Sequence, residues 1–143
     1  MNTIENFKQG FIKSLFVTLE LSKVMVPAFM AVTFIKYTVF FDFLAASAQP
    51  VMSLVGLPGE TAIPITIGFF FNQYAAIGAL SAMHLSVKEL TVVALMLGIC
   101  HELIVESAVA KKVSINLWAF ILSRMAFAFI TALLVNSIWE LFF

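Results

Sequence analysis

Charge is what this sequence has least of. Among 143 residues, eight side chains are acidic and eight basic, and charged residues make up 11%, against about 25% in a typical soluble domain. A soluble domain of this size leaves roughly a third of its unfolded-chain surface in water. So few charges cannot cover it, which excludes a soluble globular enzyme. The formal net charge is zero, so there is no basic field for nucleic acid and no polybasic anchor for acidic lipid. The single cysteine, Cys100, cannot form an intrachain disulfide and lies in an apolar run. No two histidines stand four apart around a glutamate, so the zinc-protease pattern is missing. The N-terminus, Met1-Asn2-Thr3-Ile4-Glu5, lacks the basic region of a cleaved signal peptide.

Apolar residues fill the gap. They make up 62% of the chain, and the mean hydropathy is +1.06. This is the composition of an integral membrane protein, all-α and polytopic, with about four spans.

Ile4, Phe7, Phe11, Leu15 and Leu19 recur at spacings of three and four. The spacing predicts an amphipathic helix over 3–23, lying at the membrane surface or leading into a first span over 24–41. Glu20 is the exception, placed below the headgroups. From Phe43 to His84 the only formal charge is Glu60, and Pro50, Gly56, Pro58, Gly59, Pro64 and Gly68 crowd into the stretch. Proline and glycine break helices, and irregular backbone survives at membrane depth only where protein or water satisfies it. Residues 43–84 are therefore predicted to form a broken or re-entrant hairpin. Spans over 90–110, closed by Lys111-Lys112, and over 117–139, with Trp118 and Trp139 as interfacial anchors, complete the chain.

Four features stand out, and the first three could carry chemistry. In Gly56-Leu57-Pro58-Gly59-Glu60-Thr61-Ala62-Ile63-Pro64 a turn opens a half-helix with a carboxylate and a hydroxyl at its start. Discontinuous helices of this kind form solute and ion sites in transporters; the plainer alternative is a surface cap. Asn72-Gln73-Tyr74 places two amides in an apolar run, fit for an uncharged polar ligand or for hydrogen bonds between helices. Glu102 and Glu106 are four apart and predicted on one helix face. Glu102 is the ligand or ion candidate, Glu106 an ion pair near the interface, and His101 a hydrogen-bonded histidine. Around Gly78, the small residues Ala75, Ala79 and Ala82 predict close helix packing.

The first three motifs resemble those of the nucleoside recognition, or gate-domain, membrane proteins, a bacterial family similar to spore maturation proteins A and B. Related domains occur in ferrous-iron and concentrative nucleoside transporters. The resemblance covers about residues 15–140 and implies one gate-type domain over 1–143 in the bacterial cytoplasmic membrane. It implies a half-transporter unit, not an enzyme, and no cofactor or metal. In the nucleoside transporters a polar segment of the hairpin helps to bind the ligand, and Glu60 and Thr61 are the comparable residues here. Neither cysteines nor methionines are arranged for iron transport.

The expected function is to bind a small polar solute of the nucleoside kind, or a cation, near the membrane midplane, through Glu60, Thr61, Asn72, Gln73 and Glu102. Glu60 and Glu102 are expected to share one polar site; the alternative pairs Glu102 with Arg124 and leaves Glu60 at the surface. An inverted, antiparallel homodimer follows from near-equal lysine counts. If 43–84 supplies a re-entrant element plus one crossing, Lys8, Lys13, Lys23 and Lys88 face Lys36, Lys111 and Lys112 across the membrane. If the whole stretch returns to its starting side, the balance shifts to five against two. The rival function is a structural membrane protein that assembles and transports nothing.

Overall fold

The computed structural model describes residues 3–112 and 114–142, so Met1, Asn2, Val113, Phe143 and the side chains of Thr3 and Ile4 lie outside the description. The described chain is helical, in the order α1 (Thr3–Ile35), α2 (Val39–Leu54), a 3₁₀ turn (Gly59–Thr61), α3 (Ala62–Phe70), α4 (Gln73–Leu80), α5 (Val87–Ile99), α6 (Leu103–Lys112) and α7 (Leu117–Phe142). Three stretches are long and apolar enough to cross a membrane: Glu5–Ile35, Val87–Lys112 and Leu117–Phe142. A fourth candidate, Val39–Leu54 with Gly59–Phe70, is bent by 99°. The chain is an all-α polytopic membrane protein with a broken helical pair, as its composition and punctuation require.

One boundary differs from expectation. The surface helix over 3–23 and the span over 24–41 are a single 33-residue helix, α1, ending at Ile35. Pro27 sits inside it on an exposed face. A proline there removes one backbone donor, but helix-forming residues on both sides carry the helix through. The chain turns at Lys36-Tyr37, and Thr38 caps α2, its hydroxyl oxygen accepting from the Phe41 N–H at 3.4 Å.

The bend after α2 is built from the Gly-Pro segment. Gly56 has φ +71°, the left-handed region, and a Cβ there would run into the side-chain amide of Asn136 on α7. Only glycine fits both demands. The Gly59 N–H donates to Gln49 Oε1 of α2 at 2.7 Å, tying the turn back onto the helix it leaves. Pro64 falls in the first turn of α3, where its missing N–H costs nothing.

The core gathers on α3. Ile65 and Phe69 meet Val92, Val93, Met96 and Leu97 of α5, with Ala128 and Ala132 of α7 closing the far side. A second cluster joins Val32 of α1 and Phe41 of α2 to Ala79 and Met83. The small residues do what their spacing predicts. At Gly78 an added Cβ would strike the Met25 backbone, lying 2.9 Å from its Cα, so α1 and α4 touch main chain to main chain. Outside this core, α1 and α7 expose Phe16, Phe34, Phe127 and Ile138 among many apolar side chains, a surface suited to lipid or a further helix.

Candidate functional site: two broken helices that meet

The span Val87–Lys112 is interrupted. Cys100 is extended, and Glu102 has φ +46°, so α5 ends before them and α6 starts after. A left-handed conformation costs an L-residue roughly 1–2 kcal/mol. The break lies about 18 Å along the helix from Val87 and about 14 Å from Lys112, near the middle of the span. This corrects the expected geometry of the carboxylates. Glu102 stands in the break, and only Glu106 is on the helix proper.

A second interruption faces the first. Helix α3 ends at Phe70, and the N–H groups of Phe71 and Asn72 both turn back to the Ile67 carbonyl, at 2.9 and 3.0 Å. The Gly68 carbonyl accepts instead from the Glu102 N–H at 2.8 Å. Each broken helix therefore satisfies a backbone group that the other's break has freed. At Gly68 an added Cβ would strike Leu97 and come within 2.9 Å of Ala76 Cβ, so the close approach needs glycine.

Polar side chains finish the crossing. Asn72 caps α4, its Oδ1 accepting from the Ala75 N–H at 2.9 Å, and Glu102 Oε1 accepts from the Gln73 N–H at 3.4 Å. A carboxylate at this helix start is favoured by the orphan donors and by the helix dipole. The Gln73 side chain itself bonds no described residue and lines a cavity of about 450 Å³ between α4 and α5. Ile77 and Leu80 on one side and Leu90, Ala94 and Leu97 on the other make that cavity mostly apolar. Such volume and lining fit a small molecule held by few polar groups.

Arg124 of α7 holds the other half of the break. Its Nε and Nη2 donate to the Ile99 carbonyl at 2.9 and 2.7 Å, replacing the intrahelical donor that the break removes. Its Nη1 pairs with Glu106 Oε2, and the guanidinium lies 5.6 Å from the centre of the Phe120 ring. The ion pair expected of Glu106 is present. The alternative pairing of Arg124 with Glu102 is not. His101 also departs from expectation: Nδ1 has no hydrogen bond, and Glu106 Oε1 stands 3.7 Å away.

The five candidate residues divide. Asn72, Gln73 and Glu102 come together at the crossing. Glu60 and Thr61 lie at the opposite end of α3, about 12 Å of helix from Gly68. Thr61 is fully buried and its hydroxyl donates to the Pro58 carbonyl at 2.6 Å; Glu60 is half-buried beside it. Gln49, Asn136 and the clamp formed by Arg124 went unread in the sequence. Asn136 is an isolated amide in an apolar helix, which was a usable signal. Gln49 carries none before the turn is known.

Discontinuous spans with polar groups gathered at the breaks define a transport-related type of membrane protein. A family model described as Gate, nucleoside recognition, matches residues 18–138, and the chain belongs to that family. It is similar to the uncharacterized membrane protein YvoD of Bacillus subtilis (strain 168), with 40% identity over 134 residues, covering 94% of this chain and 43% of the relative. The chain thus spans less than half the length of that relative. No solved structure matches it.

Proposed function

We propose that this chain is a gate unit that binds a small polar solute of the nucleoside class near the midplane of the bacterial cytoplasmic membrane, as a transporter component and not as an enzyme. The observation that carries the proposal is the meeting of two helix breaks beside a cavity that Gln73 lines, its side-chain amide bonding no described residue. A free amide offers one donor pair and one acceptor, which suits the edge of a nucleobase, while the apolar walls suit its faces. Glu102 and Asn72 set the position of Gln73 and present acceptors to solute hydroxyls. Glu60, at the other end of α3, is the carboxylate for a coupling cation, and Thr61 fixes the turn that holds it. The unit works as an inverted homodimer, in which the exposed apolar faces of α1 and α7 leave room for the second copy.

A purely structural role has one observation in its favour: Asn72 and one oxygen of Glu102 are already engaged in capping α4. A thermal-shift screen of the purified protein against nucleosides, free nucleobases and monovalent cations separates the two. The transport reading expects a nucleoside to raise the melting temperature, and Gln73→Ala to remove that rise. A screen with no response from any class supports the structural role.

A further inference from the structure

Five charged side chains of the apolar helices have partners or contacts on another element or across a helix break: Glu102 at the α4 start, Glu106 and Arg124 with each other, and Lys88 with Glu140 at 3.2 Å. Glu20 and Lys23 do not. They pair only with one another, at 2.5 Å along α1, and each side chain is 68% exposed. Glu20 is also the midpoint of the span Glu5–Ile35, fifteen residues from either end. That span is about 45 Å long, against a hydrocarbon thickness of roughly 30 Å. Whether α1 tilts or protrudes at both ends, its middle lies in the apolar layer.

The direction of the pair is fixed by the packing of α1. Leu21, Ser22, Met25, Ala28, Val32 and Thr33 are the partly or fully buried residues of its second half, and Met25 touches Gly78. Glu20 and Lys23 project about 140° and 160° round the helix from Met25, on either side of the opposite face. The exposed Phe16, Pro27 and Phe34 share that outward face. A charged pair at the centre of a span and turned away from its own protein is costly in lipid, and such groups face a partner or a cavity. Acyl chains offer neither.

We propose that this face is covered by α1 of a second copy, packed antiparallel and crossing between Leu21 and Ser22. The crossing sets Glu20 of each subunit against Lys23 of the partner subunit, and Phe16 against Pro27 of the partner subunit. Charge complementarity selects both occupant and direction. An antiparallel pair exchanges positions 20 and 23 and so juxtaposes opposite charges twice. A parallel pair would set Glu20 on Glu20 and Lys23 on Lys23, which is repulsive. A two-fold axis through the middle of a membrane-crossing helix, perpendicular to it, lies in the membrane plane. The inference therefore rests on the inverted-homodimer reading above and gives that dimer its interface.

The test uses the full-length protein in membranes. Glu20→Lys and Lys23→Glu are made singly and co-expressed with distinct tags, and dimer is measured by co-purification. Each reversal alone should lower the dimer fraction by about tenfold, the size expected for coupled buried charges. The two reversed chains together should restore it, because each supplies the charge the other lacks. In a Cys100→Ser background, a chain carrying Phe16→Cys should cross-link through a short bismaleimide to a chain carrying Pro27→Cys, and not to a second copy of itself. Labelling of both termini from both membrane faces is run alongside. Two-sided labelling with a dimer indifferent to the reversals, or with cross-links between two Phe16→Cys chains, overturns this interface and leaves the inverted dimer standing. One-sided labelling overturns the inverted dimer and this interface with it.

Discussion

The backbone N–H of Glu102 donates to the carbonyl of Gly68 at 2.8 Å, across the point where two helices are both interrupted. A single hydrogen bond of this kind contributes about 1 kcal/mol net in water-exposed proteins. Its weight here comes from what it replaces. Unsatisfied backbone groups at membrane depth cost several kcal/mol each, and neither break could persist without the other. Crossing and breaks form as one unit.

The close approach at Gly68 has a direct consequence. Gly68→Ala places a methyl group against Leu97 and Ala76, and should destabilise the protein by about 1–3 kcal/mol through overpacking. Combined with Leu97→Ala, itself a cavity-forming change in the core, it should cost less than the sum of the two single changes, since the clashing methyl of Leu97 is removed. Thermal unfolding in detergent of the two single variants and the double variant reads this coupling.

Glu102 tests backbone strain separately from charge. At φ +46°, Glu102→Ala keeps the strained conformation and loses the carboxylate, whereas Glu102→Gly loses the carboxylate and relieves the strain. The glycine variant should be more stable than the alanine variant by about 1 kcal/mol. Equal melting temperatures would show that the left-handed residue is not strained in the folded protein.

Arg124 should be among the most sensitive positions in α7. Arg124→Ala leaves both the Ile99 carbonyl and the Glu106 carboxylate without their donor, a loss of about 2–3 kcal/mol for this partly buried pair, below that of a fully buried one. Arg124→Ala with Glu106→Ala should cost less than the single change, because no charge remains unpaired. Unfolding midpoints of the single and double variants check it.

The fold was legible wherever the signal was composition or a backbone constraint. The apolar runs marked the spans, Gly56 to Gly68 marked the bend, and Gly78 with its small neighbours marked a close helix contact, whose partner, α1, only the structure names. The second break was not legible. Gly98-Ile99-Cys100-His101-Glu102 contains no proline, and its one glycine lies inside α5. What breaks the helix is the Arg124 guanidinium and the Gly68 carbonyl, both brought there by tertiary packing. The same cause divides the candidate site. Glu60 and Glu102 were grouped by their shared difficulty of being charged in an apolar layer, but α3 sets them at its two ends. The polar environment each one needs is built locally, by the Gly-Pro turn in one case and by the helix crossing in the other.

Gly78 governs whether α1 stays on the body. Gly78→Leu would force the Met25 backbone away from α4 and detach α1 from its main packing partner. Faster proteolysis within α1, with α5 to α7 retained, is the expected result.

The central claim is that Gln73 presents its amide to a solute at the crossing, and equilibrium binding measures it most directly. Radiolabelled nucleoside is titrated onto the purified wild-type protein, Gln73→Ala and Thr66→Ala, the last as an exposed control on α3. Saturable binding to the wild type and the control is expected. Gln73→Ala should lose at least about tenfold in affinity, the size of losing an amide's hydrogen bonds to a bound solute, with the ligand-free melting temperature unchanged. Saturable binding that Gln73→Ala leaves intact, or no saturable binding of any nucleoside by the wild type, would contradict the claim.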